Sequence, residues 1–122
     1  MGTIQITKER KEQVLVFSIK GRLDAASSPI VEESLMDWIE KGENRIVGNL
    51  SELEYISSSG IRILLQAAKH LQKTQGKMAL CGVRGHVKEL LQLVELPRVI
   101  PAAETEEEGV ILVMVRGPRE HP

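Results

Sequence analysis

The pattern of apolar and polar positions predicts alternating strands and helices. Residues 14–19, 45–50 and 77–81 each contain a run of successive apolar positions, as in strands buried on both faces of a sheet. Between and after them, apolar residues recur every three or four positions, as on the buried side of amphipathic helices. Helices of that length between buried strands allow neighbouring strands to be parallel. The pattern therefore predicts an α/β fold with the order β-β-α-β-α-β-α-β.

The two ends of this pattern are less regular. Residues 3–7 predict an edge strand in a hairpin with 14–19, and the charged residues 8–12 predict its turn. Residues 98–100 predict a short last strand. Two signals disagree over 105–115, because a capping-box sequence at Thr105 favours a helix whereas the β-branched run after it favours a strand. We expect one domain over residues 1–116 and a polar tail over 117–122.

Two segments carry the chemistry of helix starts. Ser28 is a predicted N-cap, with Pro29 at the first helical position. Ser57, Ser58 and Ser59 precede a glycine and a strongly amphipathic helix. One serine there is explained by capping the free N–H groups of the first turn, but three exceed what a cap needs. A phosphate at this position would meet free N–H groups and the positive end of the helix dipole, which predicts a site of modification or recognition.

Composition narrows the classes of partner. The chain of 122 residues has a net charge of −1, which gives no general attraction to DNA or to an anionic membrane. One Trp, one Tyr and one Phe argue against a surface that stacks on bases. Cys81 is the single cysteine, which fits a reducing compartment. With no apolar run of about 18 residues and no signal peptide, we expect a cytoplasmic protein without nucleic-acid or membrane partners.

Catalysis finds little support in the sequence. The serine cluster lacks the Gly-x-Ser-x-Gly elbow, and His70 lies about 16 Å from Ser59 along the same helix, too far to act as its base. The histidines and Cys81 lack the spacing of metal ligands, and no phosphate-binding glycine loop occurs. We therefore expect no enzymatic activity, cofactor or metal. A small serine hydrolase is the alternative from another functional class.

Four segments in order carry a resemblance to a known family. They are Gly21-Arg22-Leu23-Asp24, residues 46–51 followed by Tyr55-Ile56, Ser58-Ser59-Gly60-Ile61, and residues 76–82. With them, residues 3–115 resemble the STAS domain family, in particular the anti-sigma factor antagonists of bacterial partner-switching cascades. The resemblance implies a single domain with a mixed sheet of about five strands, helices packed mainly on one side, and a final helix beginning near Thr105.

The resemblance also implies a function. Such a domain binds an anti-sigma factor, a serine kinase with a histidine-kinase-like ATPase fold, and thereby frees a sigma factor. The kinase phosphorylates the serine before the glycine, here Ser59, which ends the complex, and a serine phosphatase restores it. Asn49 and Ser57 stand where the family usually has aspartate, so Ser58 and Ser57 stay open as modified residues. The alternative is an unphosphorylated scaffold in a transporter or stressosome-type complex.

The predicted partner-binding surface combines the serine turn, the exposed side of the following helix and the loop that ends the second strand. Its residues are Asp24, Ser27, Ser28, Ser57, Ser58, Ser59, Gly60, Arg62 and Gln66.

Overall fold

The computed structural model describes residues 4–115, which form one mixed sheet with helices on both faces. The strands are β1 Gln5–Lys11, β2 Val14–Leu23, β3 Arg45–Asn49, β4 Leu53–Ile56, β5 Lys77–Cys81 and β6 Ala102–Ala103. The helices are α1 Ser28–Glu40, α2 Ser58–Lys73, α3 Gly85–Leu93 and α4 Glu106–Met114, with a 3₁₀ turn at Leu96–Arg98. None of the helices in this part of the chain is both long and apolar enough to cross a bilayer.

The long strand β2 organises the sheet. The strand order is β1-β2-β3-β5-β6, with β1 antiparallel to β2 and the other pairs parallel. Near its end β2 changes register between Gly21 and Arg22, and its last residues pair with β4 instead of β3. Gly21 has a φ of 111°, which is accessible to glycine without strain. This irregularity brings β4, and the start of α2 after it, beside the end of β2.

The two faces of the sheet have separate cores. Leu15 and Phe17 of β2 belong to the larger apolar cluster, which α1, α2 and α3 cover. Val14 and Val16 belong to a smaller cluster that includes Val113 of α4, because successive strand residues point to opposite faces. The α/β prediction with helices mainly on one side is confirmed. Among the described residues the sheet has six strands where about five were expected.

Three details of the prediction are wrong. Residues 8–12 are not a turn, since β1 continues to Lys11 and the reversal occurs at Glu12, which has a φ of 59°. Charged side chains are typical of an exposed edge strand, where they also discourage pairing with other chains. Residues 98–100 form no strand, because the chain around Pro97 closes into a 3₁₀ turn; the last strand is Ala102–Ala103, paired with the end of β5. Strand β4 was not predicted at all.

The segment with conflicting signals is a helix. The hydroxyl of Thr105 accepts the N–H of Glu108 at 3.2 Å, which caps α4. Gly109 lies against the sheet, where an added Cβ would come within 3.0 Å of a Val47 methyl group. The cap and this packing override the strand propensity of residues 110–115, so the helix implied by the family resemblance is confirmed. The predicted tail at 117–122 lies outside the described residues.

Candidate functional site

The ends of two parallel strands bring the predicted site residues together. Leu23, the last residue of β2, pairs with Ile56, the last residue of β4. The backbone N–H of Ser57 then donates to the Leu23 carbonyl oxygen at 2.8 Å. The loop 24–27 and the start of α2 therefore lie side by side at one edge of the sheet. We call residues 24–27 and 57–59 the serine surface.

The three serines at the start of α2 differ in their roles. Ser57 is the N-cap, and its hydroxyl accepts the N–H of Gly60 at 3.3 Å. Ser58 is exposed and Ser59 half-buried, and within the described residues neither hydroxyl has a hydrogen-bond partner. The first backbone N–H groups of a helix have no acceptor inside it and carry the positive end of its dipole. Ser58 and Ser59 are therefore available for modification or contact, whereas Ser57 is occupied by the cap.

Gly60 sets how closely α2 approaches the sheet. It is buried, and a Cβ atom there would lie 2.8 Å from Leu23 Cγ and 2.9 Å from Ile56 Cγ1. Both distances are well below the roughly 3.5–4.0 Å of ordinary carbon contacts. Gly60, predicted as a partner-binding residue, thus positions the serines by packing and presents no side chain.

The loop beside the serines is held by its own polar groups. Asp24 Oδ1 accepts the N–H groups of Ala26 at 3.1 Å and Ser27 at 3.0 Å. The Ser27 oxygen accepts the N–H of Asp24 at 2.9 Å and lies 2.7 Å from the carbonyl oxygen of Arg22, to which it donates. The hydrogen bond from the Ser27 N–H, with smaller contributions from the Ala26 N–H and the charge of Arg22, holds the pKa of Asp24 below its ordinary value. Asp24 is therefore ionised in a fixed loop, and these contacts leave Oδ2 for a partner.

Ser28 has a different place from the one predicted. The N-cap of α1 is Ser27, and Ser28 is the first helical residue, because the turn closes onto Asp24 one residue earlier. Its hydroxyl and its N–H both donate to the Asp24 carbonyl oxygen, at 2.6 and 2.8 Å. At 4% exposure, Ser28 orients the loop and offers little surface to a partner.

Sequence reasoning missed one contact next to the site. The guanidinium of Arg22 lies 4.3 Å from the ring centre of Tyr55, a cation–π geometry. Both residues belong to segments that carried the family resemblance, but only the pairing of β2 with β4 places them opposite one another. Arg62 and Gln66, predicted as polar contacts, are both exposed on α2. Arg22 therefore adds a second exposed cation close to the serine surface.

Asn49, one of the two departures from the family pattern, faces α4. Its Nδ2 donates to Glu106 Oε2 at 2.6 Å, and its Oδ1 accepts the N–H of Ser51 at 2.9 Å. Glu106 also forms an ion pair with Lys11, and these two donors lower its pKa. An aspartate at position 49 would place a second carboxylate against Glu106. The side-chain amide of Asn49 therefore suits its neighbour Glu106 better than a carboxylate at position 49 would.

The arrangement offers protein-binding groups. In residues 4–115 no three His, Cys, Asp or Glu side chains form a group that could hold a metal ion. Burial raises the pKa of the Cys81 thiol to about 11, which keeps it protonated. No histidine in that range hydrogen-bonds to a serine hydroxyl of the site. The surface therefore presents a carboxylate, free hydroxyls and exposed cations on a rigid base.

Comparisons with known proteins agree with the fold. The family model for the STAS domain matches residues 5–109. BtrV of Bordetella bronchiseptica, named as a candidate anti-sigma factor antagonist, is 30% identical over 95% of this chain and 100% of its own length. The crystal structure of an anti-sigma factor antagonist from Mycobacterium paratuberculosis superposes with a TM-score of 0.84 at 24% identity, covering 93% and 96% of the two chains. The phosphorylated form of SpoIIAA, a Bacillus cell fate determinant, gives 0.69 at 22% identity, covering 89% and 99%.

Proposed function

This chain belongs to the STAS domain family, and on that premise we propose that it is an anti-sigma factor antagonist controlled by phosphorylation. It binds a kinase-type anti-sigma factor through the serine surface, and phosphorylation of Ser59 ends the complex. The observation that carries the proposal is the pair of unengaged hydroxyls, Ser58 and Ser59, at the start of a 16-residue helix beside a preformed loop. The antagonist names of relatives along the whole chain support it.

Binding uses groups that are already fixed in the free protein. Asp24 is ionised and held by its loop, so its free oxygen meets a donor of the partner without first being ordered. Arg62 and Gln66 extend the same surface along the exposed side of α2. Charges on the partner that are opposite to Asp24 and Arg62 would favour the correct partner and the correct orientation more than they would raise the affinity.

Phosphorylation adds negative charge to the serine surface. A phosphoserine adds about −1.5 to −2 charges at neutral pH. At Ser59 the free N–H groups of the first turn of α2 stabilise this charge within the domain. In the bound complex the same charge must be desolvated and placed among groups arranged for a neutral hydroxyl. Phosphorylation therefore leaves the fold intact and lowers the affinity for the anti-sigma factor.

The serine at position 57 is compatible with this switch. Serine and aspartate are comparable N-caps, so Ser57 keeps the helix start that an aspartate would give. The family resemblance assigns the modification to the residue before the glycine, which is Ser59. Ser58, the more exposed hydroxyl, is the competing acceptor.

Phosphate mapping and binding measurements test the proposal. The purified chain is incubated with ATP and its cognate anti-sigma kinase, and the modified residue is mapped by mass spectrometry. We expect phosphate on Ser59, lost in Ser59→Ala and retained in the matched control Ser58→Ala. By calorimetry, Ser59→Asp should bind the anti-sigma factor at least about tenfold more weakly than Ser59→Ala, which corresponds to about 1.4 kcal/mol.

Two outcomes would contradict parts of the proposal. Absence of phosphate on residues 57–59 after reaction with an active kinase would refute the switch. Binding that is unchanged in both Ser59→Ala and Ser59→Asp would favour an unphosphorylated scaffold with the same docking surface. Where the switch operates, a serine phosphatase that removes the phosphate should restore binding to the level of the unmodified protein.

A further inference from the structure

Helix α4 is apolar on its outer side as well as on its inner side. Gly109 and Val113 face the sheet and are buried. On the opposite side Ile111 is 58% exposed, Leu112 41% and Val115 55%. Because residues three and four apart share a helix face, these three side chains form one stripe, which we call the α4 stripe. Contiguous exposed apolar side chains of this kind are typical of interaction surfaces.

The two ends of the α4 stripe carry opposite charges. At its start Glu107 and Glu108 are exposed, next to the half-buried Glu106. At its end lie the first residues of β3 and β5: Arg45 Nε donates to the Val113 carbonyl oxygen at 3.2 Å, and Lys77 Nζ donates to that of Val115. From the start of α4 to its end, the surface is therefore first acidic, then apolar and then basic.

We propose that the α4 stripe is the interface of a symmetric dimer with a second copy of this chain. In a two-fold pair the helices cross in antiparallel orientation, so each apolar stripe covers the other. The same arrangement places the acidic end of each helix opposite the basic end of its partner, and it opposes the two helix dipoles favourably. A parallel arrangement would bring like charges together at both ends. The charge pattern thus selects the antiparallel pair.

The dimer and the proposed partner complex use different parts of the molecule. Helix α4 covers the face of the sheet opposite to α1 and α2, whereas the serine surface lies at the start of α2. Both serine surfaces of a dimer remain accessible, so one dimer presents two binding sites. One short helix supplies the interface, so it is smaller than a standard interface. Since standard interfaces bind with micromolar to picomolar dissociation constants, we expect a weaker one of about 10–100 μM.

Sedimentation velocity of the full chain over a range of concentrations tests the dimer. We expect a monomer–dimer equilibrium with a dissociation constant in that range for the unmodified protein. Ile111→Lys should raise it at least about tenfold, because a charge then replaces the centre of the stripe. Leu93→Lys is the matched control, since Leu93 is 78% exposed on α3, and it should dimerise like the unmodified protein. Circular dichroism should show that both variants are folded.

Charge reversal tests the antiparallel orientation. Glu107→Lys combined with Glu108→Lys makes both ends of the stripe basic, and Arg45→Glu combined with Lys77→Glu makes both ends acidic, so each double variant alone should associate more weakly. An equimolar mixture of the two variants should restore association, because every end then meets its opposite. Restoration to near the unmodified level supports the arrangement, and no restoration refutes it.

Other results would overturn the dimer itself. A full chain that stays monomeric at about 1 mM would do so. A dimer that persists unchanged in Ile111→Lys would place the interface elsewhere. Because Ile111 lies away from the serine surface, loss of dimerisation with intact anti-sigma binding would separate this inference from the proposed function.

Discussion

Replacement of Gly60 by alanine tests how the start of α2 is held against the sheet. The new Cβ would lie 2.8 Å from Leu23 Cγ, 3.0 Å from Leu23 Cδ2 and 2.9 Å from Ile56 Cγ1. Leu23 and Ile56 are both almost fully buried, so neither side chain has free space into which to move. Overpacking of this kind costs about 1–3 kcal/mol, and crowding on two buried neighbours favours the upper part of that range.

Alanine also stabilises a helix relative to glycine, by about 1 kcal/mol. The expected net effect of Gly60→Ala is therefore a loss of about 2 kcal/mol in the free energy of unfolding. Gly109→Ala is the matched control, because Gly109 is also a helical glycine packed on the sheet. Its added Cβ would meet one Val47 methyl at 3.0 Å, with the next atoms at 3.6 and 3.8 Å. For Gly109→Ala, strain and helix propensity should cancel to within about 0.5 kcal/mol.

Urea unfolding monitored by circular dichroism measures the free energy of unfolding of both variants. The Gly60→Ala variant should unfold at a clearly lower urea concentration with an unchanged slope, which indicates a change in stability alone. Its affinity for the anti-sigma factor should also fall, because relief of the clash moves the serines away from the Asp24 loop. Equal stability of Gly60→Ala and Gly109→Ala would refute this prediction, because the close packing of α2 on Leu23 and Ile56 would then have no energetic consequence.

Three further predictions follow from the polar cluster under α4 and from the buried thiol. Asn49→Asp should destabilise the protein by about 1–3 kcal/mol in urea unfolding, and Glu106→Gln in the same chain should restore most of it; no restoration would contradict the contact. Because Lys11, and then Asn49, lower the pKa of Glu106 below 4.5, its contribution to stability is complete above that pH and lost as the pH falls through the lowered pKa. The urea midpoint should therefore depend less on pH below about 5 in Glu106→Gln than in the unmodified protein, and identical dependence would refute this. Cys81, with a pKa of about 11, should react with a thiol reagent at pH 7 only as fast as the protein opens; rapid reaction of the native protein would contradict its burial.

The elements predicted correctly from sequence are those with a strong local pattern. Helix α2 combines a stripe of apolar residues at helical spacing with a serine cap, so propensity, periodicity and capping all agree. Strands β3 and β5 are short apolar runs bounded by glycine or polar residues. For the candidate site, the sequence placed hydroxyls at a helix start, and the structure adds that Ser57 is used as the cap while Ser58 and Ser59 are left free.

The features that the pattern misjudged depend on contacts between distant parts of the chain. Residues 8–11 are charged, but pairing with β2 makes them a strand. Residues 110–114 favour a strand by composition, but the Thr105 cap and the fit of Gly109 on Val47 make them helical.

The sequence by itself determined the order of the buried strands and amphipathic helices, because hydrophobic periodicity is a local property of consecutive residues. Only the tertiary structure placed Asp24 beside the serines, Arg22 over Tyr55 and Asn49 against Glu106. Each of these contacts joins residues from different elements, and their distances depend on the register of β2 with β4 and on the packing of α4 against the sheet.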